Sequence, residues 1–135
     1  KVSVGYHDGY MADAQISYGG SYALERAQLA IEIVKERLRA KNLEVEDILF
    51  DLIGINSLFK EYTSDIYPQE LRLRIAAKTK TKETAVKLVN EVETLYTNGP
   101  AAGGGISKLV TEVIAIQSIL IDKKKVVPKV EYFKS

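Results

Sequence analysis

The sequence contains no cysteine and a single histidine. Without cysteine there is no disulfide framework, thiol nucleophile or thiolate metal centre. One histidine excludes a histidine-rich metal site and leaves only carboxylate ligands open. No apolar run approaches the roughly 18 residues that suggest a membrane-spanning helix, and the first residues lack the apolar core of a signal peptide, so a cytoplasmic setting is expected. An excess of one charge is also missing. Nineteen Lys and Arg against 18 Asp and Glu leave a net charge of +1. No global field draws the chain to nucleic acid or anionic lipid, and neither is an expected partner.

What is present fits one globular domain. The chain has 135 residues and 15.0 kDa, 46% hydrophobic and 27% charged, enough for a single core. It begins at Lys1 and passes almost at once into strand-like sequence, for which a piece of a longer protein is the expectation and a processed product the alternative. Residues 2–6 and 10–18 flank His7-Asp8-Gly9, and Asp-Gly between strand-like runs predicts a hairpin. In the second run Ala12, Ala14, Ile16 and Tyr18 alternate with Met11, Asp13, Gln15 and Ser17, the pattern of a half-buried strand. Ser21 is placed to cap a helix over 22–41, whose Leu24, Ala27, Ile31, Val34 and Leu38 share one face, with Asn42 as a left-handed stop.

Residues 45–56 read as a strand. Leu71, Leu73, Ile75 and Ala77 then alternate with Arg72, Arg74, Ala76 and Lys78, the cleanest period-two signal in the chain. Thr79 or Thr81 caps a second helix with an apolar stripe through Ala85, Leu88, Val89, Val92, Leu95 and Tyr96, and Asn98-Gly99-Pro100 ends it. Residues 108–121 are rich in β-branched side chains and read as a long, bulged strand, with a helix as the alternative. Lys123-Lys124-Lys125 turns the chain into a last strand over 126–133, which Pro128 assigns to an edge. The expected fold is therefore α+β: a ferredoxin-like split βαβ sandwich, βαββαβ, with an extra N-terminal hairpin strand and a C-terminal edge strand. Both helices cover one face of a mainly antiparallel sheet.

Two features are candidates for contact with a ligand or another domain. The first is the glycine-rich run, with Asn98, Gly99, Gly103, Gly104 and Gly105. It is no phosphate-binding P-loop, because it follows a helix instead of opening one and no Lys-Ser or Lys-Thr completes it. A covering or contact loop is the plainer reading, and bare backbone against a ligand the sharper one. The second is the sheet face away from the helices, where Arg72 and Arg74 join Asp13, Gln15 and Ser17, with Asp47 and Asp51 alongside. Arginine forks suit carboxylate and phosphate, although such a face is more often solvated or covered by a neighbouring domain. No catalytic residue, metal ligand or cofactor motif stands out: His7 falls in a turn, Ser17 and Ser21 have no base nearby in sequence, and paired aromatics for RNA stacking are missing from the central strands.

The segments GYMADAQISY at 9–18, ALERA at 23–27, DLIGINSL at 51–58 and ELRLRIAA at 70–77 resemble, in order, the last third of the acyclic terpene utilisation family, the AtuA-like proteins. The most specific match is LYTNGPAAGGG at 95–105. The resemblance implies a C-terminal piece, or a separately encoded subunit, of a protein several hundred residues long. It also implies a connection to bacterial catabolism of citronellol- and geraniol-type terpenes through acyl-CoA intermediates. It carries over neither catalytic residues nor a cofactor. Two functions follow as expectations. One is part of a metabolic enzyme for small carboxylic or acyl-CoA-type substrates, its site completed by an upstream domain or partner subunit. The other is a structural or oligomerisation domain without chemistry of its own. A homo-oligomer is expected in either case.

Overall fold

The computed structural model describes residues 1–60 and 67–133. Its elements follow the order β1 (Val2–Gly19), α1 (Ala23–Ala40), β2 (Asp47–Ile53), β3 (Glu70–Thr79), α2 (Lys82–Glu93), a short α3 (Leu95–Asn98) and β4 (Gly103–Ile119). The four strands form one antiparallel sheet in the order β2-β3-β1-β4. Alternation dictates the layers. Ala12, Ala14, Ile16 and Tyr18 from β1 and Leu71, Leu73, Ile75 and Ala77 from β3 are buried on one face. Against them pack Leu24, Ala27, Val34 and Leu38 of α1 and Ala85, Leu88, Val89 and Val92 of α2. Both helices thus cover the same side, which makes this the ferredoxin-like βαββαβ arrangement.

Helix ends follow local chemistry. The Thr81 Oγ1 accepts from the Thr84 N–H at 3.2 Å and caps α2. Asn42 takes the expected left-handed conformation, with φ of 49°. Ser21 does not cap α1. The N-cap is Tyr22 at φ 61°, without a side-chain cap, and the Arg26 guanidinium instead donates to the Gly19 carbonyl at 2.5 Å. The helices are tied to each other by Glu91, which is 3% exposed and accepts from Arg37 at 2.5 Å and from Lys41.

Both added strands of the expected fold are corrected. Residues 2–6 and 10–18 are one continuous strand, not a hairpin. The Asp8-Gly9 pair faces Val113 alone, between the His7–Ile114 and Tyr10–Glu112 pairs, so it is a β-bulge. Gly9 has φ of 84°, and a Cβ there would lie 2.4 Å from the Thr79 carbonyl oxygen. Glycine is needed for the bulge and for the close approach of β3, not for a reversal. At the other end, Lys123–Lys125 make one 3₁₀ turn, and residues 126–133 join no sheet. Pro128 has no N–H to give a ladder. Two spans also shift: β2 is shorter than 45–56, stopping before Gly54 at φ 98°, and β4 starts at Gly103 rather than 108.

Candidate functional site: an arginine ladder on the open sheet face

Strand register assembles the polar face. Opposite β1, Ser17 stands against Arg72 and Gln15 against Arg74. On the far side of β1, Gln15 stands against Ser107 of β4. Across β3, Asp51 stands against Arg74. Directly opposed residues share a face, so these side chains converge away from the helices.

The two arginines are held differently. Arg74 donates from Nε to Asp13 Oδ2 at 2.7 Å, with Nη2 at 2.5 Å from the same oxygen and Nη1 3.8 Å from Asp51. Asp13 also accepts from Gln15 at 2.9 Å, and Asp51, buried at 5% exposure, accepts from Lys60 at 2.8 Å. The hydrogen bond to Asp13 outweighs partial desolvation and holds the Arg74 pKa above its ordinary value. Its charge is spent internally.

Arg72 is held by neutral oxygens: Gln15 Oε1 at 2.6 Å, Ser17 Oγ at 2.9 Å and Ser107 Oγ at 3.0 Å. Among the described residues no carboxylate pairs with it. Each serine accepts from Arg72 and keeps its own hydroxyl hydrogen, for which the described residues supply no acceptor. A cation flanked by two hydroxyl donors, on three adjacent strands, is a cradle for an oxyanion.

The glycine run splits into three roles. Gly105, at φ 61°, sits at a second bulge, where a Cβ would come within 3.4 Å of Arg72 Nη1 and 3.8 Å of Ser17 Oγ. It leaves the cradle uncovered. Gly103 faces the other way, its missing Cβ 3.0 Å from Ile16 and 3.1 Å from Tyr18, and so serves core packing. Gly104 pairs with Ser17 and meets nothing around a built Cβ. Asn98 closes α3, and Gly99 is not the left-handed stop: it is extended at φ −101°, with a built Cβ 2.5 Å from the Leu95 carbonyl oxygen. Among the described residues, no hydrogen bond joins Asn98, Gly99 or Asp47 to the arginine ladder. Gly103 and Gly104 belong to a strand, not a covering loop. Ser107 was missed because the glycines before it read as loop, which hid its register against Gln15.

Other titratable groups stand apart. Burial pushes the Tyr18 phenol up to about 12, against the pull of Arg26, and among the described residues its hydroxyl has no hydrogen-bond partner. That hydroxyl lies in the core, on the helix side. His7 is exposed, 3.6 Å from Glu112. Among the described residues no group of three or more His, Asp or Glu side chains is placed to hold a metal, and no helix is long and apolar enough to cross a membrane.

Element order, strand order and one-sided helices define a ferredoxin-like α+β protein, here with an oxyanion-compatible cradle on the uncovered face of the sheet. The chain belongs to the acyclic terpene utilisation family: the sequence model of "Acyclic terpene utilisation family protein AtuA" matches residues 1–132. No curated protein matches it. Among solved structures, the de novo designed protein Foldit4 is similar with a TM-score of 0.53 at 12% identity, over 76% of this chain and 94% of its own. That likeness shows the fold alone. Two further designs have TM-scores too low to add to it. They are LFR1 1, titled as having a ferredoxin fold (0.43, 17% identity, 84% and 96% covered), and Ferredog-Diesel (0.42, 14%, 84% and 89%).

Proposed function

We propose that this chain is the C-terminal domain of a cytoplasmic metabolic enzyme acting on small carboxylic or acyl-CoA-type substrates, with Arg72 holding the substrate's oxyanion. The observation that carries the reading is the contrast between Arg74, neutralised by Asp13 and Asp51, and Arg72, held in place by three neutral oxygens. A guanidinium fixed in this way loses little freedom when an anion arrives, and charge-assisted hydrogen bonds are the stronger kind. The reacting groups come from an upstream domain or partner subunit, which also covers the open face and excludes water.

Calorimetric titration tests the reading. A free short-chain carboxylate, its CoA thioester and CoA alone are titrated into this chain and into a homologue carrying the upstream region. Binding in the longer protein that weakens at least about tenfold in Arg72→Ala supports the shared site. The carboxylate and CoA arms tell whether the anion is the acid group or a CoA phosphate. Binding unchanged in Arg72→Ala removes Arg72 from the site, and no binding in either protein favours assembly without chemistry. A different observation favours that second reading: the bare, uncharged end of β1 and β4.

A further inference from the structure

β1 and β4 run past the rest of the sheet. β3 pairs with β1 only from Tyr10 onward, whereas β4 accompanies β1 back to Val2. Residues 2–7 and 114–119 therefore form a two-stranded arm. Ile114 and Ile116, opposite His7 and Gly5, are 60% and 75% exposed on one side. Val2, Val4 and Tyr6 are 37%, 41% and 46% exposed on the other. An isolated two-stranded ribbon is marginal in water, and natural edge strands are usually blunted by charge, proline or brevity. This arm has none of these. Residues 2–6 and 113–121 contain neither a charged side chain nor a proline, and among the described residues no strand lies along the outer side of β4.

We infer that the arm is an interface with a second copy of this chain, made by antiparallel pairing of β4 with β4 around a two-fold axis. A strand paired antiparallel with itself is self-complementary, so one patch serves both copies and the assembly closes as a dimer. A register centred on Ile116 sets Ile116 against its own counterpart and Ile114 against Ser118 of the partner subunit. No like charges meet along residues 113–121, because that stretch carries none. Pairing also sets apolar side chains against each other across the axis, since Ile116, 75% exposed in the single chain, meets its own counterpart. The inference is independent of the oxyanion reading, because the arm and Ser17, the partner of Arg72, lie towards opposite ends of β1.

Sedimentation velocity at micromolar concentration tests it. The expected species is a dimer of about twice 15.0 kDa. Ile116→Lys faces two ammonium groups across the axis and is expected to weaken dimerisation at least about tenfold, leaving the circular dichroism spectrum unchanged. Because the chain lacks cysteine, Ile116→Cys reports position even if the lysine variant fails to fold. It is expected to form an intermolecular disulfide under mild oxidation, whereas Ala101→Cys, on an exposed turn, is not. A wild-type monomer at every concentration overturns the inference. So does a dimer that survives Ile116→Lys, or one that cross-links through Ala101→Cys and not through Ile116→Cys.

Discussion

The two halves of β1 share one backbone and one alternation, and they meet opposite surroundings. From Tyr10 to Gly19 the strand lies between β3 and β4, and Ala12, Ala14, Ile16 and Tyr18 are wholly buried beneath two helices. From Val2 to His7 only β4 accompanies it, and every side chain is exposed. The junction is Gly9, where the bulge lets the Thr79 carbonyl close in. Alternation thus states that a strand has two faces. It does not state what covers them, which depends on how far β3 and the helices reach. The covered half stabilises this chain by itself. The bare half is available for association.

Four substitutions sharpen that contrast, in descending order of effect on the isolated chain. Leu88→Ala empties a fully buried site under the covered half and is expected to cost about 2–5 kcal/mol in urea unfolding. A cost below about 0.5 kcal/mol, that of a surface position, contradicts the layer assignment. At the junction, Gly9→Ala forces a side chain into a left-handed conformation and against the Thr79 backbone, for an expected loss of about 1–3 kcal/mol. If Ala is tolerated there, the bulge is misplaced. Glu91→Gln probes the clamp between the helices, with an expected loss of about 1 kcal/mol at neutral pH because its partners are partly exposed.

The same clamp predicts a pH dependence. Burial raises the Glu91 carboxyl, but hydrogen bonds from Lys41 and Arg37 overcome it and hold the group below the usual 4.5. The unfolded chain therefore binds the proton first as pH falls. The stabilisation is complete above about pH 4.5 and is lost as pH drops through the folded value, and Glu91→Gln is expected to remove that part of the acid transition. An identical acid midpoint in both proteins contradicts the assignment. The smallest effect belongs to the arm: in dilute monomer, Ile116→Lys is expected to change stability by less than about 0.5 kcal/mol, since Ile116 is already 75% exposed.

Sequence periodicity carried most of the architecture. The stripes of α1 and α2 and the period-two pattern of β3 made the helix side and the Arg72–Arg74 face legible in the sequence, while the α2 cap, open there between Thr79 and Thr81, is Thr81. Two residues depart from the expected apolar stripes: Ile31 is only partly buried, and Tyr96, beyond the end of α2, is 62% exposed. The errors share a physical cause: local signals with two tertiary outcomes. Asp-Gly supplies a positive φ to a hairpin turn and to a bulge alike, and a 17-residue β4 long enough to pair with both halves of β1 decided for the bulge. The glycines at 103–105 read as loop because flexibility is a prior, not an observation. In the fold they open β4 and bring Ser107 to Arg72. Residues 126–133 read as an edge strand, but they pair with no strand of the sheet, and Pro128 has no N–H to give one.

Amide hydrogen exchange as a function of concentration compares the two halves most directly. Amides of β1 from Tyr10 to Gly19 are expected to be protected at all concentrations. The amides of β4 that point away from β1 along residues 113–119 are expected to exchange freely when dilute and to gain protection as the chain is concentrated, and Ile116→Lys is expected to abolish that gain. If those β4 amides exchange at one rate from dilute to concentrated solution, the bare half is not an interface between copies of this chain.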